Sequence, residues 1–145
     1  MSNPTLPLSD IENLARQCLL ANGANAAHAE ALTRTMAAAE RDGCPSHGLF
    51  RLPGYVASLR SGKVDGNAEP VVERLSSTVV RVDGRGSYAP LSIELGRPQL
   101  VEAAREHGIA ALGLVNVHHF AALWIEVEAL TECGLVGFAF TSYMP

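Results

Sequence analysis

Apolar and polar positions change their period once along this chain, near Gly62. Before it, apolar residues recur at helical spacing. Ile11, Leu14, Ala15, Cys18 and Leu19 make one stripe, Leu32, Met36 and Ala39 a second, and Leu49, Leu52, Val56 and Leu59 a third. The spacing predicts helices over 9–22, 25–42 and 47–61. Ser9-Asp10-Ile11-Glu12 has the letters of a capping box, Asn25 stands where an N-cap would, and Asn22-Gly23 and Gly62 stand as stops. Cys18 falls on an apolar stripe as a core thiol, His28 falls in a first turn as a surface residue, and Tyr55 suits core packing and substrate contact equally.

After Gly62 a polar loop leads into period-two segments, Val71–Leu75 and Thr78–Val82, with Ser76-Ser77 as a hairpin turn and Asp83–Ser87 as a turn cluster. A helix is predicted from near Leu91 to His107, stopped by Gly108, with a kink or break at Pro98. Ile109–Val115 is a continuous apolar run fit for a central buried strand, a helix over 121–133 ends at Gly134, and Leu135–Phe140 reads as another buried strand. The resulting fold class is α/β: N-terminal helices followed by a mixed sheet with covering helices. Two segments are expected, a helical one over 1–63 and an α/β one over 64–145.

The stretch Arg41–Pro53 concentrates the chemistry. Gly43-Cys44-Pro45 breaks the second helix, because proline cannot continue it and biases Cys44 away from the helical region. Ser46 then stands as an N-cap, and His47 and Arg51, four apart, share one face of the predicted third helix. An imidazole beside a guanidinium can donate a proton and hold an anion. The same letters also suit a capping serine, a surface histidine and a solvated arginine.

Composition narrows the classes. With 145 residues the chain can build a real core, and its 48% hydrophobic and 18% charged content is ordinary for a globular protein. A net charge of −4 and a pI near 5.7 give no basic footprint for nucleic acid or an anionic membrane. No apolar run approaches the ~20 residues of a membrane helix. Cys18, Cys44 and Cys133 are odd in number and widely spaced, which argues against a disulfide framework and for a reducing cytoplasm. Asp83-Gly84-Arg85-Gly86-Ser87 lacks the spacing of a dinucleotide-binding glycine loop, so a Rossmann reading is poor. A zinc site from Cys44, His47, His118 and His119 is disfavoured, since adjacent histidines pair badly as ligands. A hydrolase built on Cys44 lacks a matched histidine and an oxyanion site.

Asp42-Gly43, Ser46-His47-Gly48 and Arg51-Leu52-Pro53-Gly54-Tyr55, followed by Gly62, resemble the signature of the malate/L-lactate dehydrogenase family, whose NAD(P)-binding fold is not a Rossmann fold. Val115–Trp124 is similar to that family's cofactor-side motif, and its His-His-Phe-Ala-Ala-Leu-Trp portion resembles the ketimine-reductase branch, the Δ1-piperideine-2-carboxylate/Δ1-pyrroline-2-carboxylate reductases. The resemblance covers essentially the whole chain and implies an N-terminal portion, since family members are more than twice as long.

That resemblance implies an NAD(P)H-dependent oxidoreductase. It assigns Ser46 and His47 to catalysis, Arg51 to a small-molecule carboxylate substrate, and His119, Phe120, Ala121, Ala122 and Leu123 to the cofactor. NADPH is expected, with NADH the alternative, and a homodimer for the full-length form. No metal, nucleic acid or membrane partner is expected. Val117 stands where relatives usually carry a small polar residue, which removes one expected hydroxyl contact. Two other readings stay open: a dehydrogenase of the same family acting on malate, lactate or ureidoglycolate, and an inactive fragment or non-catalytic interaction module.

Overall fold

The structure, a computed structural model, describes residues 5–118 and 122–141. The chain divides into two compact units, Met1–Asn67 and Ala68–Pro145.

The first unit is helical. α1 spans Leu8–Ala21 and buries Ala15 and Leu19. It opens after Pro7, with no side-chain cap, so the expected capping box does not form. Ser9 lies inside the first turn instead of flanking it, because proline sets the flanking backbone two residues earlier. Cys18 is only half-buried. α2 spans Ala26–Arg41, and Asn25 caps it as expected, its side-chain oxygen accepting from the His28 N–H at 3.0 Å. Ala29, Leu32, Met36 and Ala39 are buried along its packing face. The alanines hold helix intrinsically and let the neighbouring helix come close.

His28 is completely buried, against the surface position expected of it. The cause is non-local. The loop after α3 returns over the start of α2, where the Asn25 N–H donates to the Gly66 carbonyl at 2.9 Å and Val64 is buried. Gly66 has no room for a side chain there: a Cβ would lie 2.8 Å from Leu59 Cδ2 and 2.9 Å from Ala24 Cα.

The expected helix over 47–61 is replaced by three pieces. Two 3₁₀ turns, Pro45–His47 and Leu49–Arg51, precede α3, which spans only Leu52–Arg60. Pro53 sits in the first two positions of α3, where its missing N–H costs little. Tyr55 is buried in the core, which decides between its two readings.

The second unit is a mixed three-stranded sheet with order β1-β2-β3 and helices. β1 (Val71–Arg74) pairs antiparallel with β2 (Val79–Tyr88), and the Ser76-Ser77 turn is closed by Leu75 N–H donating to the Val79 carbonyl at 2.9 Å. β3 (Ala111–His118) lies parallel to β2, the two joined by α4 (Ala89–His107). Val80 and Val82 are fully buried, while Arg81 between them pairs outward with Glu73 at 2.7 Å. Gly96 of α4 sits where a Cβ would come within 2.7 Å of both Val82 Cγ2 and Leu112 Cδ1, so helix and sheet approach closely there.

Three expectations fail here for one reason: a strand is defined by its neighbours. β2 does not stop at Val82 but runs through the supposed turn cluster to Tyr88, because β3 supplies a ladder on the far side of an irregularity at Asp83–Ser87. Among the described strands β3 is not central but lies at an edge of the sheet, with every residue half-buried or exposed. Residues 135–140 form no strand, and Val136, Phe138 and Phe140 are 87%, 79% and 86% exposed; none of the described strands pairs with them.

α4 runs unbroken across Pro98, so of the expected kink or break the break does not occur. Proline there forfeits one backbone hydrogen bond, and the packing of α4 on β2 and β3 keeps the helix continuous. Gly108, at φ 82°, stops it as expected, its N–H donating to Ala104 at 2.9 Å. α5 spans Leu123–Thr131, shorter than the predicted helix at both ends. Arg97 of α4 pairs with Glu126 of α5 at 3.3 Å, and burial pushes the Glu126 carboxyl up while that guanidinium opposes the shift.

Candidate functional site

The Ser46–Arg51 segment is a double 3₁₀ turn. Pro45 and Gly48 bracket the first turn, with the His47 N–H donating to Cys44 at 3.0 Å and the Gly48 N–H to Pro45 at 3.2 Å. Gly48 has φ −88° and ψ −140°, which ends that turn and starts the next, where the Arg51 N–H donates to Gly48 at 2.9 Å. Ser46 therefore caps no helix, and His47 and Arg51 do not share a helical face.

They are brought together differently. Ser46 Oγ lies 3.0 Å from His47 Nδ1, so the hydroxyl fixes one ring nitrogen and leaves Nε2 on the other side of the ring. Arg51 Nε donates to the Ser46 carbonyl at 2.8 Å, which orients the guanidinium while its terminal nitrogens point beyond that bond. Ser46 is exposed, and His47 and Arg51 are half-buried. A hydroxyl, an imidazole and an anchored guanidinium thus sit on one short turn. Such a set can move a proton and hold an anion.

Sequence reasoning missed Glu40. This residue lies in the last turn of α2, and its Oε1 accepts from the Leu49 N–H at 2.7 Å, part-buried and nine residues away. A Cβ at position 48 would collide with the same carboxylate, lying 2.5 Å from Glu40 Cδ and 2.7 Å from Cγ. The available signal was an acidic residue just before a glycine break, too common to single it out.

In the second unit the motif residues lie at the carboxyl end of β3. His118 ends the strand, with its ring 6.2 Å from that of Tyr88 at the end of β2. Ala122 is buried and precedes α5, and Leu123 opens that helix, half-buried. His119, Phe120 and Ala121 lie outside the described residues. Just upstream, Asn116 and Arg85 adopt φ 53° and φ 51°. Asp83 Oδ1 accepts from both, from the Arg85 N–H at 2.9 Å and from Asn116 Nδ2 at 3.0 Å. Those two donors hold the Asp83 carboxyl below its ordinary range. This clasp was also missed; a left-handed asparagine is the usual non-glycine choice, but only the pairing of β2 with β3 puts Asp83 beside it.

Among the described residues, no three His, Cys, Asp or Glu side chains converge on a metal position. No helix among them is long and apolar enough to cross a membrane.

Helices followed by a mixed sheet, with a Ser-His turn and an arginine beside it, define the class: the chain belongs to the malate/L-lactate dehydrogenase family, whose pattern matches residues 6–145. Among relatives, it is 46% identical over 136 residues to Delta(1)-pyrroline-2-carboxylate reductase of Ancylobacter novellus, covering 94% of this chain and 40% of that protein. It is 43% identical to Delta(1)-pyrroline-2-carboxylate/Delta(1)-piperideine-2-carboxylate reductase of Pseudomonas aeruginosa, covering 94% of this chain and 41% of that one. The crystal structure of delta1-piperideine-2-carboxylate reductase from Pseudomonas syringae pvar. tomato superimposes with a TM-score of 0.87 at 41% identity, over 91% of this chain and 40% of that chain. The chain thus spans about two fifths of the length of the curated relatives it matches.

Proposed function

We propose that this chain carries the proton donor and the substrate anchor of an NAD(P)H-dependent reductase acting on a cyclic ketimine carboxylate of the Δ1-pyrroline-2-carboxylate or Δ1-piperideine-2-carboxylate type. The observation that carries the reading is the 46% identity to a reductase named for that substrate. In this reading residues 1–63 bear Ser46, His47 and Arg51, and residues 64–145 are the first part of the cofactor-binding domain, with His119, Phe120, Ala121, Ala122 and Leu123 on the cofactor side.

The division of labour follows from the chemistry. A nicotinamide cofactor, when bound, would supply the hydride for the C=N carbon. Protonated His47 gives its Nε2 proton to the ring nitrogen, and its Nδ1–H stays on Ser46 Oγ, so the neutral imidazole left behind keeps its orientation. Arg51, held through Nε by the Ser46 carbonyl, offers its terminal nitrogens to the substrate carboxylate. On the cofactor side, what supports the fit is that α5 has no side-chain cap, so its first N–H groups suit a phosphate. NADPH over NADH, a homodimer and a cytoplasmic setting belong to the same reading; the three free cysteines agree with a reducing compartment.

The test is a substrate comparison in a polypeptide of the relatives' full length. Turnover with Δ1-piperideine-2-carboxylate and NADPH should exceed that with pyruvate, oxaloacetate or ureidoglycolate by at least tenfold. Preference for any open-chain acid would move the protein to the 2-hydroxy acid dehydrogenases of the family.

A further inference from the structure

We propose that Glu40 is the positioning residue of the Ser46–Arg51 turn, and that position 48 is glycine in order to leave room for its carboxylate. Glu40 takes no part in the proton or anion chemistry proposed above, but the inference rests on that reading for its functional half.

The argument begins with an accounting of backbone donors. A 3₁₀ turn satisfies few of its N–H groups internally. The His47, Gly48 and Arg51 N–H groups find carbonyls within three residues. The Leu49 N–H, at the joint between the two turns, goes instead to Glu40 Oε1 at 2.7 Å. That bond is charge-assisted and partly shielded from water, the setting in which such bonds hold geometry best. It fixes the joint on the end of α2, and so fixes the relation of His47, before the joint, to Arg51, after it. A second contact tightens the relation further. The Cα of Gly48 faces the same carboxylate, with no space for a methyl group. The Glu40 side chain is flexible enough to swing away from an added methyl, but only by releasing the Leu49 N–H. Gly48→Ala therefore disturbs the same bond that Glu40→Ala removes.

This makes a quantitative signature. In the full-length polypeptide, Glu40→Ala and Gly48→Ala should each lower kcat on the order of tenfold, the loss of one charge-assisted hydrogen bond. The double variant should lose less than the product of the two single losses, a non-additivity that independent structural damage does not produce. Glu40→Gln, which keeps an acceptor oxygen for Leu49, should restore most of the loss. In parallel, amide hydrogen exchange across 48–51 in the 145-residue chain should accelerate in Glu40→Ala and in Gly48→Ala but not in Glu40→Gln. Parental exchange and kcat in Glu40→Ala would overturn the proposal, as would a double variant whose loss is the product of the single losses. The two halves separate cleanly. If exchange behaves as expected while His47→Ala retains parental kcat, the positioning device stands and the proposed chemistry falls.

Discussion

His47 and Arg51 should fail in different ways, and the contrast tests the chemistry assigned to the turn. His47 is asked to give a proton only as the transition state forms, so His47→Ala should lower kcat and kcat/KM together. Loss of a general acid is typically worth about 10²–10⁴-fold, or roughly 3–5 kcal/mol of transition-state stabilisation. Ser46 touches the same ring at 3.0 Å through one hydroxyl, a hydrogen bond to a charged imidazole worth about 1.5–3 kcal/mol, so Ser46→Ala should cost about ten- to hundredfold in kcat. Arg51 holds the carboxylate in ground and transition states alike. Arg51→Lys keeps the charge but loses both the 2.8 Å bond from Nε to the Ser46 carbonyl and the planar fork. Losing about 1.5–3 kcal/mol of charged hydrogen bonding corresponds to KM rising about ten- to hundredfold, with kcat little changed. The assay is steady-state NADPH oxidation in the full-length polypeptide, with thermal unfolding run on each variant to establish that it is folded. A folded His47→Ala with near-parental kcat would reduce the Ser46-His47 pair to a structural turn. An Arg51→Lys variant that loses kcat in proportion to its rise in KM would remove the substrate-anchor role.

Two further outcomes follow from the packing and from the clasp. Gly96→Ala drives a methyl to within 2.7 Å of Val82 Cγ2 and Leu112 Cδ1, so an overpacking cost of about 1–3 kcal/mol outweighs the ~1 kcal/mol helix-propensity gain and lowers stability to urea. Gly54→Ala in α3 meets nothing within 4 Å and should instead stabilise by up to about 1 kcal/mol; equal signs for the two variants would contradict the packing described. Asp83, held down by the Arg85 N–H and Asn116, should titrate by carboxyl-carbon NMR below its ordinary 3.8, and Asn116→Gly should move the midpoint part of the way back up. Because the folded value is the depressed one, the clasp contributes stability above pH 3.8 and loses it as pH falls through that lower midpoint; a native midpoint at or above 3.8 would refute the clasp.

Features decided by a few adjacent residues could be read from the letters. The Asn25 cap, the Ser76-Ser77 hairpin and the Gly62 and Gly108 stops need nothing beyond their own turn, and all four are present. The features missed depend on residues far along the chain. His28 is buried because a loop 38 residues later lies over its helix start, where Gly66 receives the Asn25 N–H. β2 continues past Asp83 because β3 offers a ladder, and residues 135–140, equally apolar, stay exposed because no described strand offers one. Apolar character states that burial is favourable; it does not supply the neighbour. The family resemblance pointed to Ser46, His47 and Arg51 together, yet the helix expected to carry them is replaced by two 3₁₀ turns.

The anchor proposed for that segment is a carboxylate from outside the motif, and the second unit repeats the arrangement. Glu40 reaches the Leu49 N–H at the joint of two 3₁₀ turns, and Asp83 reaches the Arg85 N–H and the Asn116 amide where β2 and β3 lose register. In both places the backbone leaves regular structure, so a donor loses the carbonyl that a helix or ladder would have given it. A carboxylate is a strong remedy, because it accepts from a backbone N–H with charge assistance and needs no partner of its own kind nearby. It also sets direction: the irregular segment can take only the path that keeps the donor aimed at the oxygen. Irregular backbone is what frees a side chain such as His47 from the fixed spacing of a helix. An anchoring acid is therefore expected wherever such a segment must also hold a single geometry, and neither acid lies within the motif it serves.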